Sequence, residues 1–331
     1  MKETSSRYVD QITLEKLVNE KLAKVHHFPK TGIDFDDAFF ADWQEYLSRT
    51  ERAFQDRSGF PEPVSETEWR FQSLVHCDYA ENRSFKVQHF KSAAPVASLL
   101  FYHGLFEENR EIYHFLFENL TRLGLDVYFC TMPFHYERIP EQSAFSGEFF
   151  WSAYFERTRN AFRQAACDFH LVRSWIENHS SLPLMVGGFS MGGAVALIYS
   201  SFHRTRTPVV ALNPAVSLSE ILWDSPLCKT IKADYLDAGY SIHQLQQAYS
   251  GFEPISYPAP SSSHGAIFLG YGCYDMVTSP TQYQSLITKW NLTHSKEYKS
   301  GHLNLLRVPR VANDIFNFWQ EHGTSKLQYT R

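Results

Sequence analysis

Two stretches near the amino terminus, ITLEKLVNEKLAKV (12–25) and FDDAFFADWQEYLSRTERAF (35–54), repeat apolar residues at three- and four-residue spacing. That period predicts two amphipathic helices. Beyond Pro61 and Pro63 the period shortens, and RFQSLVHC (70–77), SFKVQHF (84–90) and ASLLFYHG (97–104) read as strands. Helix and strand patterns then alternate. Helix 108–124 ends at Gly124 and precedes the strand LDVYFCTMP (125–133). A long helix over about 150–179 carries Phe155, Phe162, Ala166, Phe169, Val172 and Ile176 on one face. PLMVGGF (183–189), PVVALNP (208–214), GAIFLGYGCYD (265–275) and LTHSKEYKS (292–300) are further strands. Helices over 191–202, 279–290 and about 303–321 separate or follow them. Continuous apolar strands alternating with helices imply an α/β protein, its mostly parallel sheet covered on both faces.

One segment breaks this rhythm. Residues 216–262 are far longer than a crossover requires, and they hold the helix-like pieces LSEILWDS and IHQLQQAY before the turn-rich SYPAPSSS. The segment is expected to form a helical cap over one edge of the sheet. Residues 1–68 are expected to be a helical extension and 69–331 the main domain.

Composition narrows the function. Of 331 residues 44% are apolar and 20% charged, with a net charge of −5 and no run of five like charges. That excludes the basic stripe a nucleic-acid partner requires and a polybasic membrane anchor. The 27 Phe and 18 Tyr favour large apolar contact areas, in a core or a pocket. Five scattered cysteines without a CxxC pair read as reduced thiols. The first twenty residues carry acids and no apolar h-region, so the expectation is a soluble, cytoplasmic protein without an integral membrane segment.

The candidate chemistry sits in VGGFSMGG (186–193). Glycine costs a helix or strand about 0.5–1 kcal/mol against alanine, yet here four surround Ser190. Gly188-Phe189-Ser190-Met191-Gly192 has G-x-S-x-G spacing, directly after a strand and directly before a helix. That context marks a nucleophile elbow, a turn so tight that its flanks must lack side chains while it lifts the hydroxyl into the open. The other reading is a turn chosen for helix–strand packing alone.

A serine hydroxyl needs a base and an acid further along the chain. Asp275 ends the strand GAIFLGYGC, where ligands bind in open parallel sheets; as a bare turn residue it would cap the next helix. The preceding strand ends in LNPA and offers only Asn213. His302, in the loop SGHL after the last strand, is the candidate base; otherwise it is a plain loop histidine. The other histidines form no HExxH or His/Cys cluster, so no metal and no cofactor are expected. Oxyanion donors are expected from the backbone N–H groups of Met191 and of Leu105 in the His103-Gly104-Leu105 loop.

On these residues, HGL at 103–105, GFSMG at 188–192, Asp275 in GCYDMV and His302 in SGHL, the chain resembles the α/β-hydrolase superfamily over roughly 69–331. MPFHYERIP (132–140) is also similar to a Pro-rich stretch after the fourth strand in a poorly characterised group of α/β-hydrolase-domain proteins. The resemblance implies an eight-stranded sheet and a metal-free Ser-His-Asp enzyme. Ser190 would form an acyl-enzyme, with His302 as base and Asp275 orienting it. Its expected substrate is a small-molecule or lipid-like carboxylic ester or thioester with a hydrophobic acyl group. Acyl transfer to another acceptor and a non-catalytic binding role are the alternatives.

Candidate substrate contacts are His103 and Gly104, with His135 and Arg138 expected on the rim beside Glu137, and Trp223, Leu227 and Tyr235 in the cap. Arg138 would bind a carboxylate or phosphate, or else form a structural ion pair. The aromatic run Phe149, Phe150, Trp151, Tyr154 and Phe155 lines an acyl pocket or packs the core. The amino-terminal extension is expected to pack on the sheet or shield the site.

Overall fold

Two helices, α1 (Glu3–Glu20) and α2 (Trp43–Gln55), precede the sheet. A hairpin of β1 (Glu62–Ser65) and β2 (Glu68–Gln72) leads to β3 (Ser84–Phe90), all three pairing antiparallel. The alternating part runs β4 (Ala97–Tyr102), α3 (His114–Arg122), β5 (Leu125–Cys130), α4 (Phe155–His179), β6 (Leu184–Phe189), α5 (Met191–Phe202) and β7 (Val209–Leu212). The cap follows as α6 (Leu218–Asp224), α7 (Lys229–Asp237) and α8 (Ile242–Tyr249). The chain ends with β8 (Ile267–Gly272), α9 (Pro280–Trp290), β9 (His294–Tyr298) and α10 (Pro309–His322). The computed structural model describes residues 3–27, 32–33, 42–203, 206–258 and 266–323. The first part of the second expected helix and part of SYPAPSSS lie outside the described residues.

The strand order is β1-β2-β3-β5-β4-β6-β7-β8-β9, parallel from β5 to β9. Among the described residues the sheet has nine strands, one more than expected. The extra one is β1, EPVS, exposed along its length and holding Pro63. A short edge strand with proline has no buried face, so it carries no alternating pattern to read.

Successive side chains of β4 and β5 feed two cores. Leu99, Phe101, Val127 and Phe129 join α3 and α10 on one face, while Leu100, Tyr102, Tyr128 and Cys130 join α4 and α5 on the other. The period-2 alternation of a strand buried on both sides produces this division. The run Phe149, Phe150, Trp151 and Phe155 lies in the second core, and α4 begins at Phe155 rather than near 150. Trp151 Nε1 donates to Tyr249 of α8 at 2.9 Å, tying this tract to the cap. No described helix is long and apolar enough to cross a membrane.

Candidate active site

The turn from β6 to α5 places Ser190 at φ 53° and ψ −116°, a backbone conformation that costs on the order of 1–3 kcal/mol for a residue with a side chain. Its surroundings hold it there. The Ser190 N–H donates to Leu212 of β7 at 2.8 Å, and its carbonyl accepts from Ala194 and Ala215 at 3.0 and 3.1 Å.

Gly188 permits the helix to start this close to the strand, because a Cβ there would stand 2.3 Å from the Gly192 carbonyl carbon. Backbone cannot yield as a side chain can. Gly188→Ala is expected to cost about 3 kcal/mol, the upper end of overpacking, and to lower the melting temperature by roughly 5–10 °C. A thermal melt followed by circular dichroism checks this; an unchanged Tm would mean that the turn has room to spare.

Three loops at the carboxyl ends of the strands converge on that serine. His302 Nε2 lies 2.9 Å from Ser190 Oγ, and His302 Nδ1 lies 2.7 Å from Asp275 Oδ2. Asp275 is fully engaged: Oδ1 accepts from the N–H groups of Val277 and Thr278 at 2.8 and 3.0 Å, and Oδ2 also accepts from Tyr283 Oη at 2.7 Å. A carboxylate so bonded only accepts, so Nδ1 carries the proton and Nε2 is free to accept from the serine. Burial disfavours the imidazolium. The charge and hydrogen bond of Asp275, with the charges of Asp10 and Glu107, outweigh that and hold His302 above its ordinary pKa.

The loop after β4 is braced from behind. Gly104 N–H donates to Tyr113 Oη at 2.8 Å and to Glu107 Oε1 at 3.0 Å, and Tyr113 and Tyr136 donate to the same carboxyl group. Burial pushes the Glu107 pKa up to about 7. His103 Nδ1 donates to the Gly104 carbonyl at 2.7 Å while Nε2 accepts from Met132 N–H at 3.0 Å. His135 Nδ1 donates to the Pro133 carbonyl at 2.7 Å, leaving Nε2 to face Phe106 N–H. Burial lowers both pKa values, that of His135 to about 3. Both rings hold their loops through these bonds, and burial favours their neutral forms.

Met191 opens α5, where a backbone N–H has no intrahelical acceptor. Leu105 and Ser190 both line a cavity of about 200 Å³. The wall includes Leu14 and Leu17 of α1, Phe106, Phe189, Val277 and Leu227 of the cap.

Gly104 and Leu227 line this cavity; His103, His135, Arg138, Trp223 and Tyr235 do not. Arg138 turns inward and is fully buried. It bonds Asp168 of α4 at 2.9 Å and the carbonyls of Thr131 and Asn82, so it is a structural ion pair with no exposed rim position. Glu137 pairs with Arg110 instead. Trp223 sits under Lys232, whose Nζ is 4.2 Å from the ring centroid. Tyr235 is buried against Tyr249 and the Ser152 carbonyl.

Glu107, Tyr283 and Asp10 belong to the site although no local motif announced them. Only Asp10 left a trace, as an acid four residues from Ser6 and Leu14 on the buried stripe of α1. Among the described residues, His294, Glu321 and His322 bring ligand atoms within 4.8 Å of one another, on β9 and the end of α10 and away from the cavity.

No protein-family model matches the sequence, and no curated protein matches it. Solved structures do. An acetyl xylan esterase from Paenibacillus sp. R4 superposes with a TM-score of 0.60, over 93% of this chain and 99% of that one, at 12% identity. The chain has the α/β-hydrolase fold. Acetyl xylan esterase 1 from Thermoanaerobacterium sp. JW/SL YS485 gives 0.53 at 15% identity, covering 79% of this chain and 88% of its own. The acylaminoacyl peptidase of Pyrococcus horikoshii gives 0.55 at 9% identity, covering 80% of this chain and 42% of the peptidase.

Proposed function

We propose that this chain is a serine hydrolase that cleaves carboxylic esters of uncharged, hydrophobic acids. The observation that carries the reading is the unbroken hydrogen-bond line from Ser190 Oγ through His302 to Asp275, at 2.9 and 2.7 Å. In that reaction His302 Nε2 takes the hydroxyl proton as Ser190 Oγ attacks the acyl carbon. Asp275 stabilises the imidazolium that forms. The N–H groups of Met191 and Leu105 bind the oxyanion; each such donor is worth roughly 100- to 1,000-fold in rate. His302 returns the proton to the leaving alkoxide. The same histidine then activates the water that releases the acid. The neighbours from Paenibacillus and Thermoanaerobacterium are esterases, which agrees with this reaction class.

The cavity supports the choice of acyl group. A dry cavity of about 150 Å³ holds a benzene ring, so one of about 200 Å³ suits an acyl chain of a few carbons or an aryl group. Asp10, Glu107 and Glu108 are among its lining residues, and this acidic surround disfavours an anionic acyl group.

A fluorophosphonate probe is expected to label wild type on Ser190 and to leave Ser190→Ala unlabelled; equal labelling of both overturns the assignment. Among p-nitrophenyl esters, butyrate is expected to exceed the succinate half-ester at least about tenfold in kcat/KM. Comparable rates would refute the acyl-group reading. Acylated alcohol appearing in place of free acid would move the protein to the acyltransferases.

A further inference from the structure

Helix α1 reaches across two of the loops that the proposed hydrolysis depends on. Asp10 Oδ2 accepts the backbone N–H of His302 at 2.6 Å, across 292 positions of sequence. Immediately after the helix, Lys21 Nζ donates to the Phe106 carbonyl at 3.1 Å and to Glu108 at 2.7 Å, tying the same segment to the loop after β4. Between these two anchors Leu14 and Leu17 form part of the cavity wall.

Asp10 is 1% exposed, and a carboxylate buried to that degree requires compensation. Burial raises its pKa, and the charge of Asp275 adds to this; the N–H and the charge of His302 pull it back. Gly301 is what lets the carboxylate reach the backbone, because a Cβ there would come within 2.5 Å of Asp10 Oδ2. At the other end of the residue, Asn213 Nδ2 donates to the His302 carbonyl at 2.8 Å. The backbone of His302 is therefore held at both ends, once from the residue after β7 and once from α1.

We propose that Asp10 is a positioning residue for His302, fixing the loop that carries the imidazole and placing a further negative charge beside it. The inference rests on the serine-hydrolase reading. The charged groups that face His302 are Asp275 after β8, Glu107 in the loop after β4 and Asp10 from α1; Tyr283 of α9 acts through Asp275. Asp10 and Asp275 favour the same protonated ring, one through the backbone and field, the other through Nδ1. The amino-terminal helix is thereby part of the reaction centre as well as its shield.

The test compares wild type with Asp10→Asn and Asp10→Ala, each at concentrations fixed by fluorophosphonate titration of Ser190, so that misfolded enzyme is not counted. Asparagine keeps an acceptor for the His302 N–H and removes the charge. His302 then loses a stabiliser of its charged form, its pKa falls, and the acid limb of kcat/KM moves to lower pH by about 0.5–1 unit. Alanine also frees the loop, and kcat per labelled site is expected to fall about 10- to 100-fold, the cost of a misplaced catalytic group. A purely structural role would change the number of labelled sites without moving the pH profile.

An acid limb that stays in place in Asp10→Asn overturns the electrostatic part. A kcat within twofold of wild type in Asp10→Ala overturns the positional part. The near-isosteric asparagine variant decides the electrostatic part even if alanine does not fold. Wild type that fails to label at Ser190 refutes the hydrolase reading and this inference together. Wild type that labels, beside Asp10 variants indistinguishable from it, refutes the role of Asp10 alone.

Discussion

Ser190→Ala is expected to lower ester turnover by about 10⁵- to 10⁶-fold while leaving the fold intact. The substitution deletes one oxygen from a side chain in a strained turn, and alanine tolerates φ 53° no worse than serine does. The interactions that hold the turn use the backbone of Ser190, toward Leu212, Ala194 and Ala215, and survive the change. What is lost is the oxygen that, in the proposed reaction, bonds to the acyl carbon. The N–H donors and the cavity would still bind the ester and stabilise attack by water, which leaves a residual rate well above the uncatalysed one. Turnover of p-nitrophenyl butyrate, with circular dichroism as the folding control, measures the effect. Activity within tenfold of wild type would mean that another group attacks the ester.

Much of this arrangement is legible in the sequence because its physics is local. The glycines around Ser190 are there for a close strand–helix approach, and they stand next to the residue they serve. Strands β3 to β8 carry alternation or continuous apolar runs because a buried sheet demands it, and α5 and α8 match their sequence patterns residue for residue; the expected strand 70–77 shares only 70–72 with β2, and the polar β9 shows no such pattern. What escapes has no local imprint. β1 has no buried face, and the charged stretch KTIKADYLD of α7 buries only Ile231 and Tyr235, too few to set a period. Arg138 follows a strand end, which puts it on the expected rim, yet its partner Asp168 lies thirty residues away on a helix across the core. Asp10 is the extreme case. The backbone N–H it accepts, that of His302, lies 292 positions away, so a polar residue on a helix's buried stripe is the hint the sequence offers. Local chemistry, then, can be read from spacing, whereas pairings between distant segments emerge only when the sheet brings them together.

Asp275→Asn is expected to cost about 10⁴-fold in kcat without unfolding the protein. The reason lies in which side of the carboxyl group each donor occupies. Oδ1 accepts two backbone N–H bonds, from Val277 and Thr278, and an asparagine would put its carbonyl oxygen there, since an amide NH₂ against two donors is repulsive. Its NH₂ group then faces His302 Nδ1, where Oδ2 accepts at 2.7 Å in the wild type. An NH₂ can only donate, so Nδ1 becomes the acceptor and the ring proton moves to Nε2. That nitrogen now points a proton at Ser190 Oγ, 2.9 Å away, and can no longer remove one. The variant keeps its shape and cavity but presents the wrong tautomer, while loss of the Asp275 charge also makes His302 less basic. Steady-state kinetics beside a thermal melt separate this from misfolding: an intact melt with turnover within tenfold of wild type would remove Asp275 from the relay and leave it a capping residue for the turn before α9.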